Sequence, residues 1–455
     1  MLMGIKLKAH PTKDQKLILS QWMGCARFIW NAKCQDDKYL TTFVRKYLPI
    51  NTYAPIDQKY SLYKDKELSP WLFNCPSQIL RNSAVNWYET YQRFLKGICG
   101  KPRIKNKRDG GSIHLTKELF RFEKCEDGVN RLFIGSKRNN IGYLSIKTHR
   151  KFKEPKSIYI KKQNGRYTVS LAFDDGIDES ALNDQEAFLK VLSQYPQEDL
   201  ESMTIGIDRG VVRPVQAGKE CFDFTPDQKR KKTGKEKYLR RLQRQLSKQK
   251  KGSGRRNRTK KKIARTHEKI ANIRKDFCHQ TSRKLIDKPA VKVYVFEDLR
   301  TKNMTKSAKG TIENPGKSVR AKAGLNRVIL DKGWHMIETF VKYKAYRAGK
   351  VMFKIPAPYT SQECAACGDI HSDNRKSQEL FLCLNCGNTD NADNNAQKVI
   401  KKRAISLILD SGTELSKRGV LLDKGRGANG KTHKTKVICA HGYETSKKKE
   451  LGQPA

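Results

Sequence analysis

Apolar and polar positions along the chain change period several times, and each change marks a different kind of element. Residues 4 to 9 (Gly-Ile-Lys-Leu-Lys-Ala) alternate with the period of a short strand. After Pro11 the period lengthens. Leu17, Leu19, Trp22, Phe28 and Ile29 recur at mainly helical spacing and predict a helix beginning near Thr12. A second helical stripe, Ile79, Leu80, Trp87, Tyr91 and Phe94, covers about 76 to 98, so residues 11–100 read as a small helical module. From 111 to 174 the period falls to two through Ile141 to Ile146, Ile158 to Ile160 and, after an Asn164-Gly165 turn, Arg166 to Phe173. That pattern predicts an antiparallel sheet or small barrel. Residues 175–201 are acidic and loop-like, and are read as a boundary.

Beyond the boundary strands alternate with helices. Met203 to Asp208 is a strand, followed by a turn, a second and third short strand through Phe224, a long basic helical stretch and another strand at Val291 to Phe296. Within the basic stretch Leu239, Leu242 and Leu246, then Ile270, Ile273 and Phe277, keep helical spacing, and Gly252-Ser253-Gly254 breaks it into a helical hairpin. The tail from 411 to 455 is rich in Gly, Lys, Thr and Ser with little apolar periodicity and is expected to be flexible.

Charge narrows the function. Ninety-four Lys and Arg stand against 46 Asp and Glu, a net charge of +48, which calls for a polyanion: nucleic acid, with an anionic membrane surface as the weaker alternative. A hydrophobic content of 37% with 17 Phe, 17 Tyr and 5 Trp excludes a wholly disordered chain. No run approaches the ~18 consecutive apolar residues of a membrane span. The start, MLMGIKLKAH, lacks the apolar core of a secretion signal, so a cytoplasmic location is expected. Residues 229–262 hold 18 Lys/Arg and one acid, Glu236, and such a density of like charge suits a face that meets polyphosphate better than a merely solvated one. Lys229, Arg230, Lys231, Lys232, Arg240, Arg241, Arg244, Lys248, Arg255 and Arg256 are the candidate nucleic-acid contacts.

Of twelve cysteines, Cys25, Cys34, Cys75, Cys99, Cys125, Cys221, Cys278 and Cys439 lack metal-type spacing and are read as reduced packing residues. The other four form Cys364-x2-Cys367-x15-Cys383-x2-Cys386, each pair followed by a glycine (Gly368, Gly387). Four thiolates close the tetrahedron of one structural zinc ion and contribute folding energy to a segment too short for its own core. His371, between the pairs, is left as a surface histidine.

Three places offer carboxylates. Asp208 follows an apolar strand and precedes Arg209-Gly210, where a turn-forming role competes with a site role. Glu297 ends the strand at Phe296 and Asp298 adjoins it; neighbouring strand residues face opposite ways, so at most one joins a common site. Asp393 sits where a helix through Ile400 begins, with helix capping as its rival role. Two strand-end acids and one helix-borne acid, in the order strand-hairpin-strand, helix, strand, helix, strand, helix, match an RNase H-like arrangement. In that arrangement carboxylates converge on two Mg2+ ions ~3.5–4 Å apart for phosphodiester hydrolysis.

These residues also carry a family resemblance. Gly206-Ile207-Asp208-Arg209-Gly210, Phe296-Glu297-Asp298-Leu299 with Lys302-Asn303-Met304, Tyr359-Thr360-Ser361-Gln362 ahead of the cysteine pairs, and Asp393 seven positions after Cys386 resemble the TnpB family of transposon-associated RNA-guided nucleases, and similarly the compact type V CRISPR effectors. The opening Pro11-Thr12, the Gly24-to-Asn31 stretch, Asp276-Phe277 and Gly333-Trp334 extend the likeness over most of the chain. The resemblance implies a multidomain α+β protein. Its parts would be a wedge β-barrel domain (1–10 and 101–190), a helical recognition domain (11–100), an RNase H-like (RuvC) α/β nuclease domain (200–360 and 391–410, with the basic hairpin at 229–285) and a zinc-binding target nucleic-acid-binding insertion (361–390). It further implies Asp208, Glu297 and Asp393 as catalytic acids holding Mg2+, Arg375 as a support for the cut strand, a transposon-end guide RNA and target double-stranded DNA as partners, and a monomeric ribonucleoprotein. Two positions depart from the family pattern: Asn395-Ala396-Gln397-Lys398 stands where Asn-Ala-Ala-Arg is usual, and Arg209 where an apolar residue is commoner. Neither removes an acid. A guided DNA-binding repressor, a DNA transposase using the same acids, and a zinc-ribbon RNA-binding protein are the rival readings.

Overall fold

The computed structural model describes residues 2–47, 57–107, 110–123, 131–148, 152–176, 185–377 and 379–411. Most of the expected tail (411–455), together with Cys125 and Cys439, lies outside the described residues. The chain divides into two compact units, Met1–Ile177 and Asp178–Ala455.

In the first unit, strand β1 (Leu2–His10) leads into helix α1 (Lys13–Tyr39), whose capping box pairs Thr12 and Gln15. Leu19, Trp22, Met23, Ala26, Ile29 and Trp30 form its buried face. Leu17 and Phe28, read from sequence as part of the stripe, are 62% and 39% exposed. At 3.6 residues per turn Phe28 falls on the opposite side of the helix from Leu19, so the true face runs through Met23 and Ala26 instead. Helix α2 (Ser77–Leu95) buries Ile79, Leu80, Trp87 and Tyr91. Strands β2 (Gly111–Thr116), β3 (Phe120–Glu123), β4 (Arg131–Gly135), β5 (Asn140–Lys147), β6 (Ser157–Gln163) and β7 (Arg166–Asp174) complete a seven-stranded antiparallel sheet in the order β2-β6-β7-β1-β5-β4-β3. Asn164 and Gly165 both take positive φ, 52° and 77°, as a two-residue hairpin turn between β6 and β7 requires. β1 sits between β7 and β5, pairing with residues more than 130 positions away, and α1 and α2 share its core.

The second unit corrects one reading. The acidic stretch taken as a loop holds helices α3 (Gln185–Leu192) and α4 (Gln197–Met203), which bury Leu189, Leu192 and Leu200. The high acid content hid an apolar face. Strands β8 (Thr204–Asp208), β9 (Val215–Ala217) and β10 (Glu220–Phe222) form an antiparallel meander. Helices α5 (Pro226–Ser247) and α6 (Gly254–Ile286) are the basic hairpin, broken where the glycines place it. Next come β11 (Val293–Glu297), α7 (Val319–Lys332), α8 (Trp334–Arg347) and β12 (Val351–Ile355). A two-stranded ribbon, β13 (Leu380–Leu382) and β14 (Thr389–Asn391), precedes α9 (Ala392–Ser411).

The five-stranded sheet runs β10-β9-β8-β11-β12, with β11 parallel to both β8 and β12. One face packs Ile205, Ile207, Tyr294, Phe296 and Met352 on α6 and α8; the other packs Val293, Val295, Val351, Phe353 and Ile355 on α9, α3 and α4. Burial on both sides explains why β11 reads as an unbroken apolar run. No helix among the described residues is long and apolar enough to cross a membrane.

Candidate functional site

Register brings two acids together. Phe296 pairs with Ile207 across the parallel ladder, so Glu297 and Asp208 are the next residues on adjacent strands, ~4.8 Å apart in the hydrogen-bonding direction and on one face. Asp298, one step on, belongs to the opposite direction and meets Lys354 at 3.7 Å. The face shared by Asp208 and Glu297 is the one α9 covers. Gly206, on that face, makes the approach possible: a Cβ there would lie 2.2 Å from the Gln397 carbonyl oxygen and 2.9 Å from the Lys401 nitrogen. With the helix seated on bare backbone, Asp393 in its first turn lies near enough for its charge to act on Asp208.

Electrostatics report the convergence. Loss of hydration first, then the charges of Glu297 and Asp393, push Asp208 up to about 7. Glu297 and Asp393 are also raised, each chiefly by burial. Arg375 opposes this at all three, and its guanidinium lies 3.5 Å from an Asp393 oxygen. Two buried acids, Glu297 and Asp393, and the half-buried Asp208, each held above its usual range, form a set that a divalent cation would stabilise. The three are spaced more widely as a group than the 4.8 Å within which the cysteine sulfurs fall. Asp208, Glu297 and Asp393 could still hold a divalent cation at that spread, since such an ion would draw only part of its ligands from the protein.

Several neighbours hold the acids in place, and sequence reasoning gave them no role. The Arg209 amide donates to Asp208 Oδ1 at 2.7 Å. Its side chain is 4% exposed and donates to the Glu297 carbonyl at 2.5 Å and to Glu338 Oε2 at 2.7 Å. Glu338 also takes Lys354 at 2.6 Å, which neutralises the buried cluster. The departure at Arg209 is therefore a buried ion network, and a charged residue directly after an apolar strand was its one visible signal. Thr360, 3% exposed, hydrogen-bonds its hydroxyl to Glu297 Oε1, which favours the carboxylate form. Arg213 lies 3.3 Å from Asn391 Oδ1 and lowers the Asp393 carboxyl.

The cysteines gather as their spacing implies. All four sulfurs lie within 4.8 Å of one another, with Cys364–Cys386 at 3.7 Å and Cys367–Cys383 at 3.6 Å. Those edges match the ~3.8 Å of a tetrahedron with Zn–S bonds of ~2.3 Å. Gly368 and Gly387 take φ of 80° and 72°, and their amides donate back to Cys364 and Cys383 carbonyls at 2.9 and 3.1 Å, so each knuckle turns as a zinc ligand loop must. The quartet could hold a zinc ion. Asn395 ties the first knuckle to α9, accepting from the Ala365 amide at 3.0 Å and donating to the Glu363 carbonyl at 2.7 Å. His371 is exposed and receives the Asp373 amide.

Among the hairpin cations the structure separates two groups. Lys229 pairs with Asp223, and Arg230 and Lys231 pair with Asp227. Lys232 is largely buried against Asp331 and the Phe224 ring. Arg256 donates to the Leu246 and Gln249 carbonyls at the end of α5. Arg241 lies against Tyr238. Arg240, Arg244, Lys248 and Arg255 are exposed and have no acidic partner among the described residues. Cys25, Cys34, Cys75 and Cys278 are buried as packing residues should be, whereas Cys221 is exposed on the short edge strand β10.

Comparison with known proteins gives a consistent picture. The family described as "Probable transposase" (OrfB_IS605) matches residues 188–308, a "Cas12f1-like, TNB domain" family matches 334–400, and a "Helix-turn-helix domain" family matches 1–33, which here are β1 and most of α1. A putative RNA-guided DNA endonuclease, InsQ, of Escherichia coli K12 is 30% identical over 400 residues, covering 88% of this chain and 91% of its own. A putative RNA-guided DNA endonuclease of Streptomyces pristinaespiralis is 22% identical over 400 residues, covering 87% and 88%. The cryo-EM structure of a Cas12f1–sgRNA–target DNA complex shares the fold, with a TM-score of 0.54 at 12% identity over 88% of this chain and 98% of that one.

Proposed function

The chain belongs to the TnpB family of RNA-guided DNA endonucleases, and from that premise we propose that Asp208, Glu297 and Asp393 are its catalytic acids and work with Mg2+. The protein is a TnpB-type RNA-guided DNA endonuclease, with guide RNA and target DNA as its partners. The observation that supports the assignment of the centre is the register that sets Asp208 of β8 beside Glu297 of β11, on the face covered by α9, with the charges of Glu297 and Asp393 both acting on Asp208. We assign residues 200–360 and 391–410 to a RuvC nuclease domain, 361–390 to a zinc-bearing insertion, 11–100 to recognition of nucleic acid, and 1–10 with 101–190 to a wedge domain. The alternating five-stranded sheet supports the first of these and the cysteine quartet the second.

Magnesium bound at the acids supplies charge neutralisation at the scissile phosphate and activation of water. The chain's own residues do the rest. The Arg209 amide fixes one oxygen of Asp208, and the Thr360 hydroxyl fixes one of Glu297, so both carboxylates present their other oxygens without rotamer search. Arg375, beside Asp393, offers a guanidinium to a phosphate oxygen of the strand being cut. Sequence choice rests on base pairing with the guide, which leaves the protein to hold the backbone. One centre cuts both strands in turn, on unpaired DNA drawn along a basic surface.

Replacing Asp208 by Asn, Glu297 by Gln or Asp393 by Asn tests this. Each should lower guided cleavage at least 100-fold while guide-RNA and target binding stay within about twofold. A variant that still cuts removes its residue from the centre. Joined DNA ends, in place of free 5′-phosphate and 3′-hydroxyl termini, would mark the chemistry as transposition.

A further inference from the structure

Tyr359 has a backbone that suits glycine and a largely exposed aromatic side chain. Its φ is +66°, and among the described residues the other non-glycine positions with positive φ are Asn164 and Ser318. Small polar residues tolerate the left-handed region; an aromatic L-residue is strained there. The backbone demand is plain. The Tyr359 carbonyl accepts the amides of Gln362 and Glu363, both at 2.9 Å, and the carbonyl before it, on Pro358, accepts Arg403 Nη1 at 2.9 Å. Arg403 is itself held by Glu363 at 2.5 Å. This turn delivers the next residue, Thr360, to the Glu297 carboxylate.

Glycine would satisfy that turn without strain. The tyrosine present instead is 61% exposed, so burial does little to offset the strain, and its phenol has no hydrogen-bond partner among the described residues. The ring is rooted one residue from the group that orients a carboxylate of the acid cluster. An exposed aromatic beside a nuclease centre is chemically suited to one ligand: the face of an unpaired nucleobase, which stacks regardless of its identity. That indifference suits an enzyme whose sequence choice lies in its guide.

We propose that Tyr359 is the stacking platform for the unpaired base adjoining the scissile phosphate of single-stranded DNA, and that its strained backbone is retained to place that ring beside Thr360 and Glu297. The inference rests on Asp208, Glu297 and Asp393 being the cutting centre.

The test uses the full guide-bound complex. A target strand carrying 5-iodo-2′-deoxyuridine next to the cut is irradiated in the Asp208→Asn chain, where the strand stays whole, and the adduct is mapped by mass spectrometry. It should fall on Tyr359. In the otherwise unaltered chain, Tyr359→Gly should melt at or above the parent temperature yet lose roughly five- to a hundredfold in the cleavage rate at subsaturating single-stranded DNA. Tyr359→Phe, which keeps the ring, should recover that loss. A Tyr359→Gly chain that folds and cuts at the parent rate overturns the proposal, as does an adduct mapped only elsewhere. Cleavage by Asp208→Asn would instead overturn the reading of the centre, leaving the crosslink to be judged alone.

Discussion

At Asp208 the physics of a single carboxyl sets a pH dependence for the whole centre. Its acid form persists up to about 7 in the folded, cation-free protein, against 3.8 for an unburied aspartate. Between those values the folded state holds a proton that the unfolded state has released, so stability from this group falls as pH rises from about 4 to 7. A cation reverses that penalty because it binds only the ionised form. Metal-free protein should therefore lose melting temperature between pH 5 and pH 8, and the increment produced by 10 mM Mg2+ (roughly, in excess of its dissociation constant) should be larger at pH 8 than at pH 6. Scanning fluorimetry with and without chelator reads both; in Asp208→Asn the pH trend of the Mg2+ increment should shrink. The neighbour that fixes Glu297 makes a related prediction. Thr360→Val removes a donor from a buried carboxylate, which raises its proton affinity, so the Mg2+ concentration for half-maximal cleavage should rise several-fold with the melting temperature within a few degrees. These acids were legible in the chain because each ends an apolar run or starts a helix. Thr360 and Arg209 were not, because their value depends on which strand ends meet, and one chain read linearly does not show that.

Contacts between elements decide whether the acids meet at all. α9 lies against β8 where Gly206 has no side chain. Gly206→Ala forces a methyl into the backbone of Gln397 and Lys401, so the helix must shift and carry Asp393 away from Asp208. Such overpacking costs typically ~1–3 kcal/mol, and cleavage should fall out of proportion to the loss of stability, measured as residual activity at a temperature where the variant is still folded. The cysteine knuckles form a second coupling. Through Asn395 the first knuckle is tied to α9, and Arg375 lies in the same short segment, 3.5 Å from Asp393. Chelation should release one zinc ion per chain and abolish cleavage together, and Cys383→Ser should do the same; a zinc-free protein that cuts normally would separate the two centres. Element types were largely readable: capped α1, the hairpin at Asn164-Gly165 and the break at Gly252 all declare themselves in local chemistry. The failures share one cause. α3 and α4 hide in the sequence because a stretch rich in acids, with Glu198, Asp199 and Glu201 exposed on α4, masks the spacing of Leu189, Leu192 and Leu200, and Leu17 and Phe28 join the α1 stripe because hydrophobicity, without angle, does not say which side faces the core.

Over the whole molecule the excess of 48 positive charges fixes the kind of partner but not the residues that touch it. Composition treats the basic hairpin as one face, whereas the fold gives its cations different duties. Lys232 and Arg256 are engaged within the protein, the first with Asp331 in the last turn of α7 and the second at the end of α5. Arg240, Arg244, Lys248 and Arg255 are exposed without acidic partners among the described residues. Neutralising a cation in the first group takes away one of the two cations on half-buried Asp331, Arg274 being the other, or unties a helix end, so Lys232→Gln should lower the melting temperature by a few degrees whether or not nucleic acid is present. Neutralising the second group should leave stability unchanged, since surface charges away from partners contribute little to folding. What changes there is the release of counterions. Each lost phosphate contact reduces the slope of log K against log salt by about 0.7–0.9, so replacing all four by Gln should flatten the salt dependence of nucleic-acid binding by up to about three units. Binding titrations at several salt concentrations measure that slope. An unchanged slope with weaker binding would mean that these side chains act through shape or folding, and that the hairpin's charge is neutralised by something other than phosphate.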